Sequence, residues 1–205
     1  MQPRLTVIMP VYNCQVLVER ALNSIPASQD IQVIVLDDGS TDDSWKIITS
    51  WWSKNCNHYS PASIIHRWEP NKGVATTMNL GFELAEGDYI VSLSSDDYYI
   101  SDFNDFMPYL DGKNDMIYFD LEVNDGSVWH VDKSSKSEYV GAVKFIRRGF
   151  LGDTRIPDLK WHEDKPFSEQ LYAKNPKEVF TGIVLKYYNW PRKGSLSWQA
   201  NNSSL

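Results

Sequence analysis

Cysteine is nearly missing from this chain: 205 residues contain two, Cys14 and Cys56, with no short metal-type spacing between them. With no disulfide framework to read and no leader profile ahead of the apolar run that starts at Leu5, the expectation is a reducing, cytosolic setting. Blocks of basic residues are missing too. The formal net charge is -7, which argues against a phosphate-backbone footprint and so against nucleic acid as a partner. No apolar run approaches the ~18 residues of a membrane span, so only peripheral association with a membrane surface, through an amphipathic segment, stays open. Glycine is missing from "PVYNC", the turn after the first apolar run. That removes the dinucleotide fingerprint of NAD-dependent dehydrogenases and the phosphate loop that a sugar-phosphate nucleotidyltransferase requires.

What is present fits one domain over residues 1–205, long enough to bury about 70% of its unfolded surface. The first half alternates. "LTVIMP" (5–10) reads as a strand, and Leu17, Ala21 and Leu22 fall on one helical face. "IQVIVLDD" (31–38) is a second strand, followed by Trp45, Ile48, Trp51 and Trp52 at helical spacing, most of them expected in the core. "SIIHRW" makes a third strand, Val74, Met78, Gly81 and Ala85 a third helical face, and "DYIVSLS" (88–94) a fourth strand. This order predicts an α/β fold, Rossmann-like, with a mostly parallel central sheet and helices on both faces. The second half is less regular. "DMIYFDLEV", "NDGS" (124–127) and "VWHV" predict a β-hairpin, "YVGAVKFIRRGF" (139–150) has helical periodicity, and "FSEQLY" starts a helix after Pro166. On that reading Arg147 and Arg148 belong to a solvated helix face.

In parallel sheets ligands gather at the carboxyl ends of the strands, and three polar clusters sit there: "PVYN" (10–13), "DDGSTDDS" (37–44) and "SSDD" (94–97). Ser40 and Asp43 have the spacing of a capping box, which accounts for 40–43 but leaves Asp37 and Asp38 unexplained. Adjacent carboxylates at Asp96 and Asp97 repel each other, and two explanations stand: a turn or helix cap, or a hard-cation site whose shell a diphosphate completes. Asp164 likewise reads either as a helix cap before Pro166 or as a reactive carboxylate.

Beyond these local patterns, "VIMPVYN", "VIVLDDGSTDDS", "NKGVATTMNLGFELAEGDYIVSLSSDD" and "WHEDKPFSEQLY" stand in the order and spacing of the inverting family 2 glycosyltransferases of GT-A fold, which the chain resembles densely from residue 5 to about 100 and loosely to about 198. The resemblance implies a nucleotide-sugar half (1–98) and an acceptor half (99–205), with UDP-sugar the preferred donor and a glycan or lipid-linked hydroxyl the acceptor. It implies that Pro10, Tyr12 and Asn13 line base and ribose, that Asp38, together with Asp37, accepts from the base, and that Asn71 and Gly73 form the loop after the third strand. Ser94, Ser95 and Asp96 take the place of the family's Asp-x-Asp element. Asp96 is then the ligand of Mn2+ or Mg2+, with Asp97 beside it, and Asp164 the base that deprotonates the acceptor, with Glu163 its neighbour. His162 is expected as a structural hydrogen-bond partner, and Trp161, Trp190 and Trp198 as rings for sugars to stack on. Two positions depart from the pattern. Ser94 is neutral where the family has an aspartate, and Met78 replaces an arginine whose charge-assisted bond would be worth about 1.5–3 kcal/mol. Lys72 is the cation nearest in sequence, and a non-catalytic nucleotide- or glycan-binding member is the competing expectation. The Gln-x-x-Arg-Trp element of the family's processive polymerases is absent, which predicts transfer of a single sugar.

Overall fold

The computed structural model describes residues 2–68, 70–135, 143–159 and 163–190. The first half alternates as its sequence does: β1 (Leu5–Val11), α1 (Val18–Asn23), β2 (Ile31–Asp37), α2 (Ser44–Asn55), β3 (Ile64–Arg67), α3 (Val74–Leu84) and β4 (Tyr89–Ser92). All pairings among β1, β2, β3 and β4 are parallel. Every residue of β2 is buried, with the apolar run 33–36 covered on both faces and Gln32 and Asp37 buried beside it. α3 packs on β1 and β2 and reaches the sheet closely through Gly81, where a Cβ would stand 2.5 Å from Ile8 Cγ2. Trp51 is buried, and Trp45 and Trp52 pack partly buried against the same core.

The second half comprises β5 (Tyr98–Tyr99), β6 (Met116–Val123), β7 (Val128–Trp129), β8 (Lys144–Arg147), α4 (Arg148–Leu151), α5 (Asp164–Tyr172) and β9 (Glu178–Tyr188). The expected hairpin forms: β7 returns antiparallel along β6, and Val123 N donates to Ser127 O at 3.0 Å across the "NDGS" turn. The helix expected over 139–150 does not. Residues 139–142 lie outside the described residues, 144–147 are β8, inserted antiparallel between β4 and β6, and only Arg148–Leu151 is helical. Val143, Phe145 and Ile146 are all buried, and a short strand covered on both faces has no alternation to set it apart from a helix. The two arginines are tied down as well: Arg147 pairs with Asp115, and Arg148 Nε donates to Gly87 O at 2.9 Å.

The sheet runs β3-β2-β1-β4-β8-β6-β9-β5, with β7 attached to β6. β8 is antiparallel to both β4 and β6, and β9 is parallel to β6. The carboxyl ends of β1, β2, β3, β4, β6 and β9 therefore all open on one edge. One cluster of buried side chains runs beneath it from Leu5 to Leu185.

Candidate functional site

The edge is shaped first by the loops after β1 and β2, which are laced together. Asn13 adopts a left-handed backbone (φ 47), a conformation asparagine tolerates when its side chain bonds locally. Its Oδ1 accepts from Thr41 N at 2.8 Å, while Asn13 N donates to Ser40 Oγ at 2.9 Å and Cys14 N to Ser44 Oγ at 2.8 Å. Ser40 in turn donates to Asp37. The capping box expected from Ser40 and Asp43 does not form. No side chain caps α2 at Asp43, and Asp42 instead accepts from Ser44 N at 2.9 Å and Gln15 N at 3.1 Å. Gly39 has φ 77, and a Cβ there would stand 2.9 Å from Asn71 N, so the turn closes against the next loop only with glycine.

Two carboxylates lie beneath this turn. Asp37 is fully buried, and parallel register sets it opposite Arg67, whose Nε lies 3.3 Å from Asp37 Oδ2 and whose Nη2 donates to Ser40 O at 2.9 Å. Burial pushes the Asp37 carboxyl above its ordinary value, and Ser40 and Arg67 pull it back. Asp38, 4% exposed, turns the other way: it accepts from Lys72 N at 2.7 Å and Gly73 N at 2.9 Å, while Asn71 Nδ2 donates to its backbone carbonyl at 2.8 Å. Asp38 thus clamps the loop that leads into α3. Above these groups opens a cleft of ≈ 570 Å³ lined by Tyr12, Gly39, Ser40, Thr41, Asp42, Arg67, Pro70 and Asn71. Tyr12 is 52% exposed there, and Pro10 is half-buried at the end of β1. Arg67 was not among the residues expected from sequence; a cation ending a strand beside the Asp37 strand was its only signal. Met78 is buried on α3, and the Lys72 ammonium rests 3.7 Å from the centroid of the Trp68 ring.

After β4 the chain makes a tight turn in which Asp97 N donates to Ser94 O at 3.1 Å. Cys14 Sγ contacts Ser95 O at 3.4 Å, and Arg20 Nη2 donates to Asp96 O at 2.9 Å. Ser94, Ser95 and Asp96 are half-buried. Asp97 is not: it and Lys186 are each 1% exposed, their charged ends are 3.2 Å apart, and Asn189 N donates to Asp97 Oδ1 at 3.0 Å. Burial raises the Asp97 carboxyl, and Lys186 opposes that rise. The repulsion between adjacent aspartates is thus met by a lysine beneath one of them. Among the described residues no three His, Cys, Asp or Glu side chains converge as a metal cage. Magnesium-type ions are commonly held by one or two carboxylates with phosphate oxygens completing the shell, and of the two aspartates Asp96 is the one with exposed surface to offer such an ion.

Asp164 opens α5 and Glu163 precedes it, both half-buried, and no side chain caps the helix at Glu163. Two contacts tie this region to α3. Phe167 stacks on Phe82 with ring centroids 5.6 Å apart, and the Asn79 amide both donates to Ile156 O and accepts from Ile156 N, each at 2.8 Å. Trp161, His162 and Trp198 lie outside the described residues. Trp190 is parallel to Tyr188 at 6.2 Å, and Tyr188 meets Trp129 edge-on at 5.8 Å.

Residues 6–179 match the family described as Glycosyl transferase family 2. An uncharacterized glycosyltransferase of Haemophilus influenzae is 30% identical over 97% of this chain and 83% of its own length. The chondroitin synthase of Pasteurella multocida is 33% identical over 47% of this chain, which spans only 10% of that protein. Among solved structures, S. aureus TarS 1-349 in complex with UDP-GlcNAc superposes with TM-score 0.80 at 23% identity, covering 95% of this chain and 60% of its own. The mannosyltransferase PcManGT from Pyrobaculum calidifontis, in complex with GDP-Man and Mn2+, gives 0.73 at 18% identity over 97% and 60%. The GT-A architecture expected from sequence is the one these neighbours share.

Proposed function

Since this chain belongs to glycosyl transferase family 2 and is a glycosyltransferase, we propose that it transfers a single sugar from a nucleotide donor, UDP-sugar by preference, to a hydroxyl of a glycan or lipid-linked acceptor at the cytosolic face, with inversion at the anomeric carbon. The observation that carries this reading is the cleft between Tyr12, Arg67 and Asn71 at the carboxyl ends of β1, β2 and β3. It has the size of a small-molecule site and the position at which open α/β sheets take nucleotides. Two neighbours of the same fold were solved with nucleotide sugars, one of them with Mn2+.

In this scheme Tyr12, Asn13 and Pro10 border base and ribose, while Asp37 and Asp38 shape the floor. Asn71 and Gly73, held by Asp38, form the wall leading to α3. Ser94 and Ser95 meet the donor where the family pattern has its acidic element, and Asp96 holds Mn2+ or Mg2+. When bound, that ion offsets charge developing on the leaving diphosphate. Asp164, with Glu163 beside it, removes the proton of the attacking hydroxyl, a contribution worth about 10²–10⁴ in rate.

The test is twofold. UDP should raise the melting temperature more with Mn2+ than without it, and indifference to every nucleotide would remove the donor assignment. Asp164→Asn should retain UDP binding and lose about 10²–10⁴ in transfer rate. Unchanged turnover would show the base to lie elsewhere.

A further inference from the structure

The pairing of Asp97 with Lys186 is an unusual use of charge. Both side chains are 1% exposed, so both ions have lost most of their hydration. Two ions so placed seldom gain enough from each other to stabilise a fold beyond what well-packed apolar groups would give. Stability alone is therefore a poor reason for this pair. Its position supplies another.

Lys186 lies on β9, opposite Tyr99 in the antiparallel β5–β9 register, and Ile100 N donates to Leu185 O at 2.9 Å. From there its ammonium reaches the carboxylate that ends the Ser94–Asp97 turn, 3.2 Å away. Asp97 also accepts from Asn189 N, so one carboxylate joins β9 to the donor edge. The rest of the turn is held from the other side, by Cys14 Sγ on Ser95 O and Arg20 Nη2 on Asp96 O. Asp96 thus sits between two sets of anchors, one from the β1–α1 region and one from β9.

We propose that Lys186, acting through Asp97, is a positioning residue for the donor site: the buried pair fixes the turn in the conformation in which Asp96 serves the nucleotide-borne divalent ion. The inference rests on the reading of Asp96 as the residue that meets that ion. Lys186 touches no reacting atom, and the pair ties the acceptor-side strand to the edge where the donor is held.

The test separates position from stability. Asp97→Asn with Lys186→Met removes both charges together and keeps the approximate side-chain shapes, so the double variant should melt close to the unaltered protein. UDP binding without metal should be unchanged, whereas the gain in UDP affinity on adding Mn2+, measured by calorimetry, should fall about 10–100-fold, the usual effect of losing a group that orients a ligand residue. Lys186→Met alone, assayed below its own melting temperature, should show the same loss. Full retention of the Mn2+ effect in either variant overturns the inference. Asp96→Asn serves as the reference. If that substitution leaves the Mn2+ effect intact, the assignment of Asp96 fails and the inference falls with it; if it abolishes the effect while the Lys186 variants keep it, only the positioning role is lost.

Discussion

Replacing Asp38 by asparagine distinguishes two roles for that side chain. The family pattern gives it to the nucleotide base, whereas the geometry commits both its oxygens to backbone N–H groups, Lys72 at 2.7 Å and Gly73 at 2.9 Å, in a setting only 4% exposed. Asparagine offers one acceptor. Its amide nitrogen must face one of the two N–H groups: turned to Lys72 N it removes that donor's carboxylate partner, whereas Gly73 N would keep Asn71 Oδ1 at 3.1 Å. A bond to a charged group is worth about 1.5–3 kcal/mol, and a domain of this size loses about 2–4 °C per kcal/mol, so the melting temperature should drop by roughly 3–12 °C. Amide hydrogen exchange at Lys72 and Gly73 should accelerate, and UDP affinity should weaken as the loop into α3 loosens. The assays are calorimetric melting, exchange at those two amides and a nucleotide titration. Unchanged melting and protection, with nucleotide binding lost, would refute the clamp and return Asp38 to direct contact with the base.

Other substitutions probe the frame around the cleft. Gly81→Ala should destabilise by about 1–3 kcal/mol, because its Cβ would enter the space of Ile8 Cγ2; with Ile8→Ala added, the double variant should lose less than the sum of the two singles in urea unfolding. Arg67→Met strips the buried Asp37 carboxylate of its cation and should cost about 1–3 kcal/mol, recovered in part by adding Asp37→Asn; equal melting of the single and double variants would deny the pair any role. Asp115 supplies a pH dependence. Burial works to raise its carboxyl, but the Lys177 N–H and Arg147 prevail and hold it below the ordinary 3.8. A depressed carboxylate contributes stability above its unfolded value and forfeits it as pH falls through the folded one. Asp115→Asn should therefore differ most from the unaltered protein at neutral pH and converge with it as pH falls below the ordinary carboxylate range, as read by chemical denaturation at each pH.

The first half was legible because each element carries its own signal: β1 and β2 are short, mostly apolar stretches, and α2 and α3 repeat at helical spacing. Where burial is two-sided that signal fails. β8 lies between β4 and β6 with Val143, Phe145 and Ile146 all buried, and its run mimics a helix. The long β9 gives no clean strand pattern although it is rich in Val, Phe, Ile and Tyr. Gly182 interrupts its pattern with a positive φ of 65, and the β6–β9 register shifts in the matching stretch. At the site, residue types were readable and their partners were not. Asp96 and Asp97 look equivalent in a string of letters; the difference comes from Lys186, some ninety positions away, which no local window contains. Arg67 was hidden for the same reason, since its meaning depends on the register that sets it across from Asp37.

The Asn79 amide reads both backbone polar groups of one residue, as a neighbouring strand would, and so pins residue 156 to the middle of α3. Whatever the chain does beyond that point starts from a fixed post. Exchanging the stretch after residue 156 for that of a relative with a different acceptor would have to keep this carboxamide contact, because a stiff helical rod carries the spacing from the nucleotide side, together with the Phe82–Phe167 stack and the β9 pairings that join the later residues to the same frame.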